Sequence, residues 1–203
     1  MIRLTAEIYA NGNNYIIADN LTKLSFSGQD RSDTTLPSWG IKSNSGSLEM
    51  YDTDEIIERL SNQGLLANSE IKIYLNVKSR KKQIGGFYIT DASKDKHTAK
   101  TKIGFQDELM SWNQKQMPIY LYLYYPREIS AYDILTYIIQ KAGVVLEYAT
   151  QETINILKSI YIAYPIIEKG SLWAQTAKIC ELSCCYIYCN NNGTPTIHYG
   201  GGA

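Results

Sequence analysis

All four cysteines of this 203-residue chain fall within ten positions, at Cys180, Cys184, Cys185 and Cys189. Thiolates at that density could bind zinc, which takes four ligands in a tetrahedron, usually as two knuckles separated by an intervening stretch. Here Cys184 and Cys185 are adjacent and nothing separates the pairs. On an extended strand Cys184 also faces away from Cys185 and Cys189. Small apolar side chains at a helix end and in a buried strand explain the cluster without metal. The two histidines, His97 and His198, sit in polar, strand-like contexts with no nucleophile motif beside them. Gly-x-Ser-x-Gly, the P-loop and His-Glu-x-x-His are absent. Acid–base catalysis needs a base held near a reacting group, and none is visible. No catalytic residue, cofactor or metal is expected.

Two charged clusters remain. Asp52, Asp54 and Glu55 could hold a divalent cation, but they lack EF-hand spacing. Asp52 followed by Glu55 reads as a capping box ahead of Ile56, Ile57 and Leu60, and acids at a helix start favour its dipole. Residues 78–102 carry eight Lys/Arg against two Asp, so the rest of the neutral chain sums to −6. Cations here could neutralise phosphates. Only Phe87 and Tyr88 interleave them, so base stacking is poorly supported. A solvated hairpin, whose lysines discourage unwanted strand pairing, is the simpler reading, and no specific nucleic-acid partner is expected.

The composition is globular, with 44% hydrophobic residues and balanced charge. No apolar run reaches the ~18 residues of a membrane span, and the first residues alternate rather than forming a secretory core. Synthesis in a host cytoplasm is expected. Tyrosine is abundant, 17 against 3 Phe. A ring with a polar end suits surfaces buried against partly wet partners, although codon bias explains the count equally well.

The elements that must position these residues change character along the chain. Residues 1–117 read as mainly β. Ile2, Leu4, Ala6 and Ile8 alternate up to a turn at Asn11-Gly12, and Tyr15 to Ala18 resumes. Strands follow at 22–27, 46–51, around 70–90 as a hairpin, and 98–105, with a polar loop at 28–40. Six or seven strands with little helix predict a small barrel or sandwich. Residues 118–203 read as a smaller α+β domain. Ile119 to Tyr125 alternates with Tyr120, Tyr122 and Tyr124 on one face. Helices open at Ser130, Thr150 and Ser171, and a hairpin closes the chain through Asn190 to Gly193. The fold class expected is α+β.

The order Pro37-Ser38-Trp39-Gly40-Ile41-Lys42-Ser43-Asn44-Ser45-Gly46-Ser47-Leu48, then Gly64-Leu65-Leu66, Ile71-Lys72-Ile73-Tyr74-Leu75 and Gly85-Gly86-Phe87-Tyr88-Ile89, resembles the N-terminal part of phage tail-tip and baseplate hub proteins. Ser130-Ala131-Tyr132-Asp133 and Gly170-Ser171-Leu172-Trp173 resemble later parts of the same group. The resemblance implies a first domain that is a β-barrel of the tail-tube type, shared with type VI secretion spike proteins. It implies a strand ending in a turn at Asn-Ser-Gly. It also implies assembly as a trimer, in which two barrels per chain match a six-fold tube. The partners implied are other copies, the tail tube and further tail or baseplate proteins, in a virion tail. This chain shows one barrel pattern, no lysozyme or peptidase module, and ends at Gly200-Gly201-Gly202-Ala203, where relatives usually continue.

A structural role needs surfaces. The candidates are the Tyr120/Tyr122/Tyr124 face, Trp39 and Trp112. If Trp39 and Trp112 are exposed they could instead stack on sugars, which makes a host-surface or carbohydrate-binding tail module the alternative function.

Overall fold

The computed structural model describes residues 2–17, 21–29, 40–78, 80–95, 97–98, 100–117, 128–163 and 170–200. The chain divides into two compact units, each with its own core. Unit 1 holds residues 1–29, 44–108 and 190–193, and unit 2 holds 30–43, 109–189 and 194–203. Residues 30–43 and 109–117, which the sequence reading assigns to the first domain, cluster with unit 2.

In chain order, the first part forms β1 (Ile2–Ala10), β2 (Asn13–Ile17), β3 (Leu21–Gln29), β4 (Gly40–Tyr51), α1 (Ile56–Asn62), β5 (Glu70–Val77), β6 (Arg80–Lys94), β7 (Lys100–Gln106) and α2 (Glu108–Ser111). Asn11 and Gly12 both take positive φ, 49° and 77°. Ala10 pairs with Asn13 across them, the two-residue turn whose twist matches that of its strands. The strand order in unit 1 is β3-β4-β7-β6-β5-β1-β2. Pairs from β4 through β2 are antiparallel. Register shifts at Ile73/Tyr74 and at Ile89/Asp91 are bulges that bend the sheet.

The inner face follows from period-two alternation. Ala6, Ile8, Ile17, Leu48, Met50, Ile71, Ile73, Phe87, Ile89, Ile103 and Phe105 join Ile57 and Leu60 of α1 in one buried cluster, with Leu24 of β3 packed against it. Every strand of unit 1 contributes, so the sheet curls around a single core. Its end strands β2 and β3 do not pair with each other, and no closed barrel is seen among the described residues.

All 3 phenylalanines of the chain meet on this face. Phe87 and Phe105 have ring centroids 4.7 Å apart, and Phe26 lies 5.7 and 5.8 Å from them. The rings occupy space that two glycines leave open. A Cβ on Gly46 would come within 2.7 Å of the Phe105 ring and would strike the backbone oxygen of Ser25. A Cβ on Gly85 would strike the Phe87 ring. Asn44-Ser45-Gly46 is therefore no turn, contrary to the resemblance. It runs inside β4, with Ser45 opposite Gln106 and Gly46 opposite Phe105.

The capping box also needs correction. The residue before α1 is Glu55, at φ 53° and with no side-chain cap. Asp52 accepts instead from the amides of Ile57 and Glu58 at 3.0 and 3.1 Å. It still satisfies orphan donors of the first turn, but from three residues before the N-cap position that a box would use.

The second part forms β8 (Gln116–Met117), β9 (Glu128–Ser130), α3 (Ala131–Ala142), β10 (Glu147–Tyr148), α4 (Gln151–Ser159), β11 (Tyr161–Ala163), β12 (Gly170–Ser171), α5 (Leu172–Leu182), β13 (Cys185–Cys189) and β14 (Pro195–Tyr199). Ser130, Thr150 and Ser171 cap their helices as the sequence indicates, accepting from Asp133, Thr153 and Ala174 amides at 3.1, 3.1 and 3.2 Å. Gly143 ends α3 at φ 64°, the left-handed stop that glycine adopts without strain. The sheet of unit 2 runs β10-β14-β13 and onto residues 40–42 of β4. The β13–β14 pair is antiparallel, and the two outer pairings are parallel. Helical residues including Ile134, Leu135, Ile138, Leu157 and Ile179 pack with Ile41, Cys185, Ile187 and Ile197 of the sheet.

Gly46→Ala is expected to destabilise unit 1 by about 1–3 kcal/mol, because the added methyl group meets backbone and a wedged ring rather than a flexible side-chain end. Gly12→Ala meets nothing within 4 Å and is expected to lose only about 1 kcal/mol, for its positive φ. Urea unfolding of both variants compares them directly, and equal losses would contradict the ring-wedge account.

Candidate interaction surfaces

The chemistry considered first is dispersed by the fold. Cys180 and Cys185 lie in the core of unit 2, and Cys184 is exposed at φ 52°. Burial raises the thiol pKa of Cys185 and pushes that of Cys180 well up, which keeps both protonated and poor as nucleophiles or ligands. No group of three metal-binding side chains occurs among the described residues. His97 lies in the β6–β7 connection, where its backbone amide donates to the Asp95 carboxylate at 2.9 Å. Asp54, Glu55, Glu58, Arg59, Asn62 and Gln63 line an open cleft of about 400 Å³ beside α1. Glu58 is held there by Lys94.

Of the surface candidates, Trp39, Tyr120, Tyr122 and Tyr124 lie outside the described residues. Trp112 is 0% exposed, inside the core of unit 2. Its indole offers no face to a sugar or a partner, so its choice as an interface residue is corrected. The apolar surroundings that bury it are assembled from distant residues such as Leu172 and Trp173.

Unit 2 has a different aromatic group. Tyr186, Tyr188 and His198 stand on the sheet face opposite the helices, because they alternate with the buried Cys185, Ile187 and Ile197. Their rings stack within 11–15° of parallel, with centroids 4.6 to 6.0 Å apart. Rings stacked on one another hide most of the faces that a sugar would need. His198 Nε2 is buried with no hydrogen-bond partner, and burial lowers the imidazole pKa below its ordinary 6.5.

The outer face of the unit 1 sheet carries a network that the sequence did not reveal. Glu7 is only 6% exposed. It accepts from Tyr9 Oη at 2.6 Å, from Asn14 Nδ2 at 3.4 Å, and from Lys81 Nζ. Lys81 lies 4.0 Å above the Tyr74 ring and Lys72 lies 4.5 Å above that of Tyr9, favourable cation–π geometry. Burial alone pushes the Glu7 carboxyl pKa up, but Lys81, Tyr9 and Asn14 outweigh it and hold the group below 4.5. The hydrogen bond to Glu7 and burial together raise the Tyr9 phenol. Such an arrangement fixes strand register and presents a polar, tyrosine-rich surface.

The ends of this sheet differ from its face. Ile16 on β2 is 62% exposed and Phe26 on β3 is 50% exposed. Each belongs to an end strand of unit 1. Edge strands usually carry charge or proline against unwanted pairing, so large apolar side chains there mark surfaces to be covered.

No protein-family model matches the sequence, and no curated protein matches it. Solved structures do match. A tail protein from Neisseria meningitidis superposes over 96% of this chain and 50% of its own, with TM-score 0.58 and 8% identity. A prophage tail protein from Listeria monocytogenes does so over 97% and 50%, with TM-score 0.58 and 8% identity. The fold is that of phage tail proteins. A chain from the Francisella PdpA–VgrG complex shares it over 98% of this chain and 31% of its own, with TM-score 0.56 and 16% identity. The tail-protein fold thus bears out the resemblance seen in residues 37–91. This chain spans about half the length of the two tail proteins.

Two measurements probe these surfaces. His198 has a lowered folded pKa, so the folded state binds fewer protons than the unfolded chain, and stability falls as pH drops below about 6.5. His198→Phe keeps a flat ring and removes the titration. Its stability is expected to change less than that of the parent between pH 7 and 5 in thermal melts, and parallel pH profiles would refute this. Glu7→Gln removes the charge from the Tyr9–Lys81 network and is expected to lose about 1–3 kcal/mol in urea unfolding at pH 7. Because the Glu7 pKa is lowered on folding, its contribution is present above pH 4.5 and fades on acidification. The two proteins are expected to converge in stability below that range.

Proposed function

We propose that this chain is a structural virion component, a tail-tip or baseplate hub subunit that links the tail tube to a distal spike or fibre. The observation that carries the reading is the tail-protein fold, matched over nearly the whole chain. The surfaces fit that role. A ring subunit must present strand edges to its neighbours, and unit 1 offers β2 and β3 as end strands, with Ile16 and Phe26 exposed on them. Pairing of one subunit's β2 with the next subunit's β3 is a head-to-tail contact, the kind that closes into a ring. Backbone hydrogen bonds supply the affinity in such strand addition, and flanking side chains the specificity. In the complete assembly the partners are further copies, as a trimer, together with the tail tube and other baseplate proteins, and the location is the virion tail. The role needs no catalysis, and the chain is read as non-enzymatic.

The alternative, a carbohydrate-binding tail module, has little to stand on. It relied on Trp39 and Trp112, and Trp112 is interior. Immunogold labelling of phage particles with antibody to this chain tests the location. Label at the distal end of the tail is expected, and label on capsids, or none, would count against the hub. The edge contact has its own test. Ile16→Lys puts charge on the exposed end strand β2 and is expected to abolish ring formation seen by native mass spectrometry with the tail-tube protein present. Its circular dichroism should match that of the parent.

A further inference from the structure

One end of unit 1 has an inner face that its own core does not cover. Leu4 and Leu75 are opposite each other and Val77 pairs with Ile2 one step on. Leu4, Leu75 and Val77 continue the inward alternation of Ala6 and Ile73, yet neither leucine belongs to the buried cluster. Val77 is 39% exposed. Across β6, Arg80 faces Val77 and Lys82 faces Leu75, and Lys78 occupies the turn at φ 55°. Lys78, Arg80 and Lys82 are all exposed. No Asp or Glu occurs between positions 71 and 90. The hairpin end is therefore a projecting apolar strip rimmed by three cations.

The opposite end of β6 carries the complementary chemistry. Lys94, its last residue, binds Glu58 of α1, which puts the α1 cleft at that end. Glu58 is thereby neutralised, and Asp52 is used by the α1 amides. Asp54 and Glu55, both exposed, are the acids the cleft has left to offer, with Arg59 also in its lining. Tyr51, an exposed ring, lies three residues before Asp54 in the chain. A strand of 15 residues spans roughly 45 Å at about 3.3 Å per residue, so one copy cannot bring its own two ends together.

We propose that the hairpin end of unit 1 docks head to tail onto the α1 cleft of a second copy, Leu75 and Val77 against Tyr51, and Lys78, Arg80 and Lys82 against Asp54 and Glu55. Exposed ion pairs alone hold little. An apolar centre with a charged rim favours a specific contact; the hairpin end supplies Leu75 and Val77 within its cations, and Tyr51 offers a half-exposed ring close in the chain to the cleft's acids. This contact uses neither β2 nor β3, so it stands or falls apart from the edge pairing proposed for the ring.

Charge exchange on the full chain tests it by sedimentation equilibrium at low and high salt. The parent is expected to self-associate, and more weakly at high salt. Arg80→Glu with Lys82→Glu, and separately Asp54→Lys with Glu55→Lys, are each expected to weaken association at least tenfold. An equimolar mixture of the two variants is expected to recover the parent's association as alternating chains, because the reversed hairpin of one meets the reversed cleft of the other and the unaltered hairpin and cleft also match. Ile16→Lys, on an end strand outside this contact, serves as the control, and should leave this association unchanged. The proposal is overturned if the parent stays monomeric up to about 1 mM, the limit at which weak contacts still register. It is also overturned if either reversed variant associates like the parent, if the mixture does not recover, or if the edge control abolishes the association.

Discussion

Gly46 and Gly85 leave room on the inner face of unit 1 for the rings of Phe105 and Phe87, and Phe26 closes over both. Glycine in a strand weakens it, since it has no side chain to pack and loses more entropy on ordering. A ring laid over the gap restores the packing and draws neighbouring strands inward. The consequence reaches both ends of the sheet. Phe26 lies on β3, so the cluster ties an end strand to the middle of the sheet formed by β6 and β7. Without that anchor the inner face has only α1 to cover it.

The outer face is organised differently, by one nearly buried carboxylate. Burying a charge is unfavourable unless it is paired and hydrogen-bonded, and Glu7 has three donors from β1, β2 and β6. Three strands are thus held in one register from the polar side while the hydrophobic core holds them from the other. A one-residue slip would invert every side chain, so the two faces reinforce the same pairing. What results is a sheet whose end strands keep a fixed shape. That is what a subunit needs if its edges are to meet other chains repeatedly.

Much of the local structure was legible. Ser130, Thr150 and Ser171 marked three helix starts because capping depends on residues three apart. Asn11-Gly12 marked a hairpin because few residues tolerate two successive positive φ angles. The alternation of Cys185, Ile187 and Cys189 marked a strand. The misreadings share a cause. Asn44-Ser45-Gly46 looks like a turn by composition, yet its glycine answers to the Phe105 ring on β7, far away in sequence. Trp112 gave no local sign of burial, because its cover comes from α5. The Tyr120/Tyr122/Tyr124 face and Trp39 lie outside the described residues.

The sequence by itself determined where elements begin and end, which face of each is apolar, and the likeness to tail proteins carried by residues 37–91. Those properties depend on neighbours a few positions apart, or on motif order along the chain. Tertiary structure alone decided which strands lie side by side, including the parallel pairing of β13 with β4. It also decided that β2 and β3 end the sheet of unit 1, that Glu7 meets Lys81, and that a basic hairpin end and an acidic cleft stand at opposite ends of one strand. These depend on register between distant segments, where many pairings satisfy the same alternation and only packing of the whole core selects one.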